Sequence, residues 1–242
     1  MTYKFTEGLM GYPLIEGPAI AAPTNLRDLP IQYGFLATAV DKVYGSGEFV
    51  FARASAGIRQ YGLCTLLPVW DSVNLIYTYN ATEVANTANL AQTLCVAQNV
   101  MTTGQYGWFQ VQGVTPISAA ASVAAGVSFG IGAAGQAGTL AAGKQVLNAV
   151  TVAASTLAVV KVGTGDSGST QINVQNTDGL FLGMALSGTN VGAGVITAID
   201  PNGKFILNSV ANTGAVAGNV TGTATGYIVA EINRPFAQGA VT

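Results

Sequence analysis

The chain has 242 residues, a formal net charge of −2, no histidine, and 8% charged residues against about 25% in ordinary globular proteins. The missing histidine removes the commonest general base, the usual metal ligand and every Ser/His/Asp or Cys/His arrangement. Nine scattered basic residues give neither an electrostatic footprint for nucleic acid nor a polybasic segment for a membrane surface. A surface so poor in charge favours association, so an assembled state is expected ahead of the alternative, a secreted β-protein with a neutral surface.

Residues 1–34 form an extended arm in this reading. Pro13, Pro18, Pro23 and Pro30 punctuate it, and proline restricts the residue before it to extended backbone. Glu7, Pro13 and Glu16 stand where a secretory signal needs an apolar core, so a chain made in a cytoplasm is expected. The arm's apolar residues, among them Tyr3, Phe5, Leu9, Tyr12, Ile15 and Ile20, follow no period. Such a segment makes no core of its own and must lie along its own domain or along a neighbouring subunit.

Strands are expected at Phe35 to Val40 and Glu48 to Arg53, joined by a turn at Gly45-Ser-Gly47. Ile58 to Leu67 follows, closed by Pro68, and then Val73 to Tyr79, rich in β-branched and aromatic residues. Thr82 to Leu94 is the one candidate helix, with Thr82 as its cap and Val84, Ala88, Ala91 and Cys95 near helical spacing. Leu94 to Ala97 begins the next strand. Cys64 and Cys95 lie in apolar contexts and are expected as buried free thiols, with a disulfide as the alternative.

Between Glu83 and Lys144 lie sixty residues without a charge. At their centre, Tyr106, Trp108, Gln110 and Gln112 fall on one parity and Phe109 and Val111 on the other, the period-2 pattern of a strand over Tyr106 to Val114. Trp108 either belongs to the core or, with Tyr106, meets a neighbour. The stretch Val123 to Ala142 is mostly Ala and Gly and too weakly apolar to span a bilayer. Further strands are expected at Val127 to Ile131 and Gln145 to Val152.

Gly163 to Ser169 has the composition of a flexible linker. Short apolar runs then follow at close spacing: Gln171 to Val174, Met184 to Ser187, Gly194 to Ile199 and Phe205 to Leu207. Asp200-Pro-Asn-Gly203 has the residues of a type I turn closing a hairpin. Tyr227 to Asn233 is one more strand. The expectation is an all-β chain. It has an extended arm at 1–34, a barrel- or sandwich-like main domain at 35–163 plus 223–242, and a small inserted β-module at 164–222.

No constellation for chemistry emerges. Asp166, Asp178 and Asp200 sit in turn-like settings where Asp has backbone reasons to be. Gly130-Ile-Gly-Ala-Ala-Gly135 satisfies G-x-G-x-x-G. It lacks both the helix that would hold a pyrophosphate and an acid about twenty residues on, so it is rejected as a nucleotide loop. No catalytic residue, metal ligand or cofactor is assigned.

Several segments nevertheless form a familiar pattern. Gly47-Glu-Phe-Val-Phe-Ala-Arg53, Ala56-Gly-Ile-Arg-Gln-Tyr-Gly62, Gln105-Tyr-Gly-Trp-Phe-Gln-Val-Gln-Gly113, Ala141-Ala-Gly-Lys144 and the closing Asn233-Arg-Pro235 together resemble capsid cement (decoration) proteins of tailed bacteriophages. Leu182 to Ser209 resembles a small β-module found in many phage virion proteins. The proline-rich arm and the module are not general features of the cement proteins. The resemblance implies a non-enzymatic virion protein that is commonly trimeric, with the major capsid protein and itself as partners and neither nucleic acid nor membrane. It would bind the outside of the head lattice and cement neighbouring capsomers. Candidate contact residues are Tyr3, Phe5, Leu9, Tyr12, Tyr106 and Trp108. The alternative is a receptor- or glycan-binding protein of a head fibre or tail, whose mark would be exposed aromatics in the module.

Overall fold

The computed structural model describes residues 4–5, 15, 19–21, 29, 31, 34–41, 43–72, 75–153, 156–200 and 202–240. Seventeen strands and no helix occur among them. In order they are β1 (Lys4–Phe5), β2 (Leu36–Asp41), β3 (Gly45–Ala54), β4 (Leu63–Asp71), β5 (Ile76–Glu83), β6 (Leu94–Ala97), β7 (Tyr106–Ser118), β8 (Gly130–Ala133) and β9 (Gln136–Gly138). There follow β10 (Val146–Ala153), β11 (Thr156–Gly165), β12 (Gln171–Val174), β13 (Ala185–Gly188), β14 (Ile196–Ile199), β15 (Phe205–Asn208), β16 (Val216–Thr225) and β17 (Tyr227–Ala237). The chain is all-β, with barrel-like curled sheets.

It divides into two compact units, one of them built from residues 156–225. The larger unit holds a nine-stranded sheet in the order β1-β2-β3-β5-β4-β6-β7-β17-β10, with β3 also paired to β7. That extra pairing closes a ring. β3 meets β7, β7 meets β6, β6 meets β4, β4 meets β5, and β5 returns to β3 in parallel through Asn80 and Ala81. A barrel's bore narrows as strand number falls, so with five strands small side chains must line much of the wall around a few large ones. Ala52, Ala54, Cys64, Ala81, Cys95 and Ala97 line the interior, with Leu66, Met101, Phe109 and Val111 filling it.

The smaller unit is a six-stranded sheet in the order β13-β16-β11-β12-β15-β14. Its two longest strands pair along their whole lengths, from Thr156 opposite Thr225 to Gly165 opposite Val216. The linker expected from Gly163 onward is therefore incorrect. Gly163 to Gly165 belong to β11, because a partner strand satisfies the backbone that composition alone suggested was free. The hairpin at Asp200 forms: Gly203 N–H donates to the Asp200 carbonyl at 2.8 Å, and the Asp200 carboxylate accepts from Asn202 N and Lys204 N.

Three other expectations change. The helix at Thr82 to Leu94 does not form; β5 runs on to Glu83, and Asn89 and Ala91 have φ of 60° and 50°. Their N–H groups donate to Gly143 and Gln238 carbonyls, so long-range partners replace helical ones. The turn before β3 comes earlier, because Gly45 is already paired with Asp41, whose carboxylate accepts from Val43 N and Tyr44 N. Pro68 lies within β4 opposite Tyr79. β4 tolerates it because pairing to β6 ends at Thr65, leaving that edge without a ladder to break among the described residues.

The rejected glycine motif is the β8–β9 hairpin. Gly135 takes φ 66° in its turn, and a Cβ on Gly138 would stand 2.5 Å from the Gly132 Cα. The two backbones pack face to face only without side chains. Gly138→Ala is expected to cost about 1–3 kcal/mol of stability by overpacking, read as a lowered urea midpoint. Gly57→Ala, where a Cβ meets nothing within 4 Å, should leave the midpoint unchanged.

Candidate functional site

The central strand β7 buries both its faces. Phe109 and Val111 point into the barrel, while Tyr106 and Trp108 point outward beside Phe49 and Phe51 of β3. An outward Trp on a barrel would ordinarily meet solvent, yet Trp108 is 1% exposed. Its cover comes from the N-terminal side. The Phe5 ring lies 5.4 Å from Trp108, and the Phe35 and Phe51 rings are edge-on at 6.5 and 5.3 Å. These are the tilted and edge-to-face distances at which aromatic quadrupoles attract.

The arm is also fixed through its backbone. β1 pairs with β2 through Lys4 opposite Val40 and Phe5 opposite Ala39. Ile20 and Tyr106 exchange N–H···O bonds of 2.8 and 2.9 Å, Ile15 is buried, and Ala19 packs against the barrel's core cluster. The described part of the arm thus lies along its own domain. Tyr106 and Trp108 belong to the core of the unit, and Phe5 is half-buried against Trp108. The other candidate contacts, Tyr3, Leu9 and Tyr12, lie outside the described residues.

A buried amide network continues the same face. Gln98 Nε2 donates to Gln110 Oε1 at 3.3 Å, and Gln110 Nε2 donates to the carbonyls of Gln112 and Val114 at 3.1 and 3.2 Å. It sits where the β3–β7 register shifts between Glu48 and Phe49, and where Gly113 has φ 104° with a Cβ position blocked by the Ser46 carbonyl. A buried amide without partners is costly, so the glutamines on the strand's outward parity hold β7 in place as it passes from β3 to β17. Sequence pattern placed them on the right face but gave no sign of this role.

Cys64 and Cys95 stand directly opposite each other on β4 and β6, both buried and both free. Burial pushes the Cys64 thiol well above its ordinary value, with smaller contributions from neighbouring Cys95 and Glu83; burial alone raises Cys95. Neither thiol is therefore a poised nucleophile. Of the acids considered for chemistry, Asp200 ties its own turn, and Asp166 and Asp178 sit in local turn networks. Arg59 grips Glu83 at both carboxylate oxygens, at 2.8 and 3.0 Å, beside the turn glycine Gly135. Among the described residues no three of His, Cys, Asp and Glu converge.

The surface also carries large apolar side chains. Among the described residues the large exposed side chains include Leu67, Val69, Trp70, Leu75 and Tyr77 on β4–β5, Val150 and Val152 on β10, and Val160 and Val162 on β11. No model of a known family, no curated protein and no solved structure matches the chain.

Two measurements check this geometry. Trp108→Ala should cost the isolated chain about 3–5 kcal/mol in chemical denaturation, the loss of a large buried aromatic. The thiols give a pH signature. With folded values raised above an ordinary 9.0, both stay protonated in the native state while the unfolded chain ionises. The unfolded state then binds fewer protons, so stability declines as pH rises above about 9. Replacing both by Ala should flatten that slope in denaturation between pH 9 and 11.

Proposed function

We propose that this chain is a structural, non-enzymatic virion protein that binds the outer surface of a phage capsid and cements neighbouring capsomers, acting as a homotrimer. The observation that carries the proposal is the surface. It is poor in charge and exposes Trp70, Leu75 and Tyr77 on the larger unit and Val160 and Val162 on the smaller, side chains of the kind that mark interaction sites rather than a free monomer. The likeness of the Gly47 to Arg53 and Gln105 to Gly113 segments to cement proteins gives this surface its partners, the major capsid protein and further copies of the chain.

The physical logic is mass action. A ligand that binds the assembled shell better than its separated subunits shifts the equilibrium toward the shell, and many copies act in parallel. The five-stranded barrel with its sealed outer face supplies a rigid body for the task. The fibre or tail alternative draws no support from the module: Phe181 is buried and Phe205 half-buried.

Mass spectrometry of purified virions tests the role through copy number. Hundreds of copies per particle are expected, and a handful would assign the chain to a fibre or tail instead. Adding the purified protein to capsids that lack it should also raise their thermal disruption temperature.

A further inference from the structure

We infer that the smaller unit is an autonomous folding module, carried as an insertion in the β10–β17 hairpin, and that each unit keeps or loses its fold without the other. This holds whether or not the chain is a cement protein. A six-stranded sheet left open shows two unpaired edges and needs another body to cover them. Here the two outer strands, β13 and β14, meet instead. Ala185 bridges to Val195, Leu186 N–H donates to the Gly194 carbonyl at 2.8 Å, and Ile196 N–H donates to the Met184 carbonyl at 2.9 Å. The order β13-β16-β11-β12-β15-β14 thus returns to β13, and closure of this kind removes sheet edges.

The ring holds a core of its own. Alternate residues of β12 and β15 are buried, Ile172 and Val174 on one and Ile206 and Asn208 on the other, so one parity of each faces inward. Glycines in the two long strands make room for that core. A Cβ on Gly163 would stand 2.8 Å from Val220 and 3.0 Å from Ile172, and one on Gly222 would stand 2.7 Å from Leu180. Buried polar groups find partners in the same unit. Asn208 Nδ2 donates to the Gly192 carbonyl at 2.7 Å, Asn212 Nδ2 donates to that of Asp166 at 3.3 Å, and Asp200 holds its own turn. None of these contacts calls on a residue outside 156–225.

The chain crosses between the units as an insertion requires. It enters the smaller one at Thr156 and leaves at Thr225, which face each other in the β11–β16 ladder. On the other side of the crossing, Ala153 and Val229 are paired in the β10–β17 ladder. With entry and exit side by side, a domain is carried at a hairpin's end without parting the strands that carry it. The larger unit's ring closes through β3 to β7, all of which precede the crossing. A domain of about 60 residues or a little more can fold alone, and this one is helped by closure.

The full chain carries its own probes for the test. Both tryptophans, Trp70 and Trp108, belong to the larger unit, and residues 156–225 contain neither Trp nor Tyr. Urea denaturation followed by tryptophan fluorescence therefore reads the larger unit alone, whereas far-ultraviolet circular dichroism reads both. Ile206→Ala empties a fully buried position of the smaller barrel. It should lower the midpoint of one circular-dichroism transition by about 1–2 M urea and leave the fluorescence midpoint at its wild-type value. Val111→Ala, inside the larger barrel, should lower the fluorescence midpoint and leave the smaller unit's transition in place. If Ile206→Ala unfolds the smaller unit even without urea, the fluorescence midpoint must still not move. Movement of both transitions together in either variant would mean one cooperative body and would overturn the inference.

Discussion

Everything in the larger unit depends on β7 being buried on both faces. Its inward side chains, Phe109 and Val111, fill a bore too narrow for much else, and its outward ones, Tyr106 and Trp108, need a cover that the barrel itself does not supply. Phe35, at the mouth of β2, and Phe5, from the far N-terminus, provide that cover by packing on Trp108. The arm is therefore part of the fold's hydrophobic core. A barrel of five strands is too small to be stable on its interior alone, and the aromatic layer on its outside supplies a second core, so the barrel wall is shared by two packed layers.

The same constraint accounts for the absence of charge in β7, at the centre of the sixty residues without one. A strand covered on both faces has no position where a Lys or Glu meets water, and a charge buried without a partner is expensive. The hairpin β8–β9 extends the tract by a different route, replacing side chains with bare backbone so that Gly132 and Gly138 touch. Charge returns at the two ends of the tract, and there it is bonded: Glu83 to Arg59 and Lys144 to the Asn86 side chain. The two cysteines are explained by size. Side by side on the adjacent strands β4 and β6 in the wall of a narrow bore, they fill space that Leu would overfill, and their burial suppresses the thiolate that would make them reactive.

With charge confined to a few sites, the exposed surface falls to Thr, Asn, Gln and Val, interrupted by one strongly apolar projection. A neutral flat surface and an aromatic hairpin pose different problems for solubility. The first is tolerated singly, whereas the second gains most from being covered. The proposed cement role is a consequence of this division.

The sequence by itself determined the strands whose own side chains carry a period: Tyr106 to Val114, Leu94 to Ala97, Gln171 to Val174, and the Asp200 turn with its flanking strands. Alternation and turn chemistry are local, and they survive any tertiary context. It did not reveal β11 and β16, because their Gly, Thr and Ala become a strand only when paired with each other across ten positions. Nor did it rule out the helix at Thr82 to Leu94, whose N–H groups are claimed by Gly143 and Gln238 from distant parts of the chain. It left Trp108 between core and contact, and the pairing of β1 with β2 decided the matter by placing Phe5 against it. A side chain's parity is written in the sequence. Which face of a strand is covered, and by what, depends on contacts between residues more than a hundred positions apart, and only the folded chain brings those together.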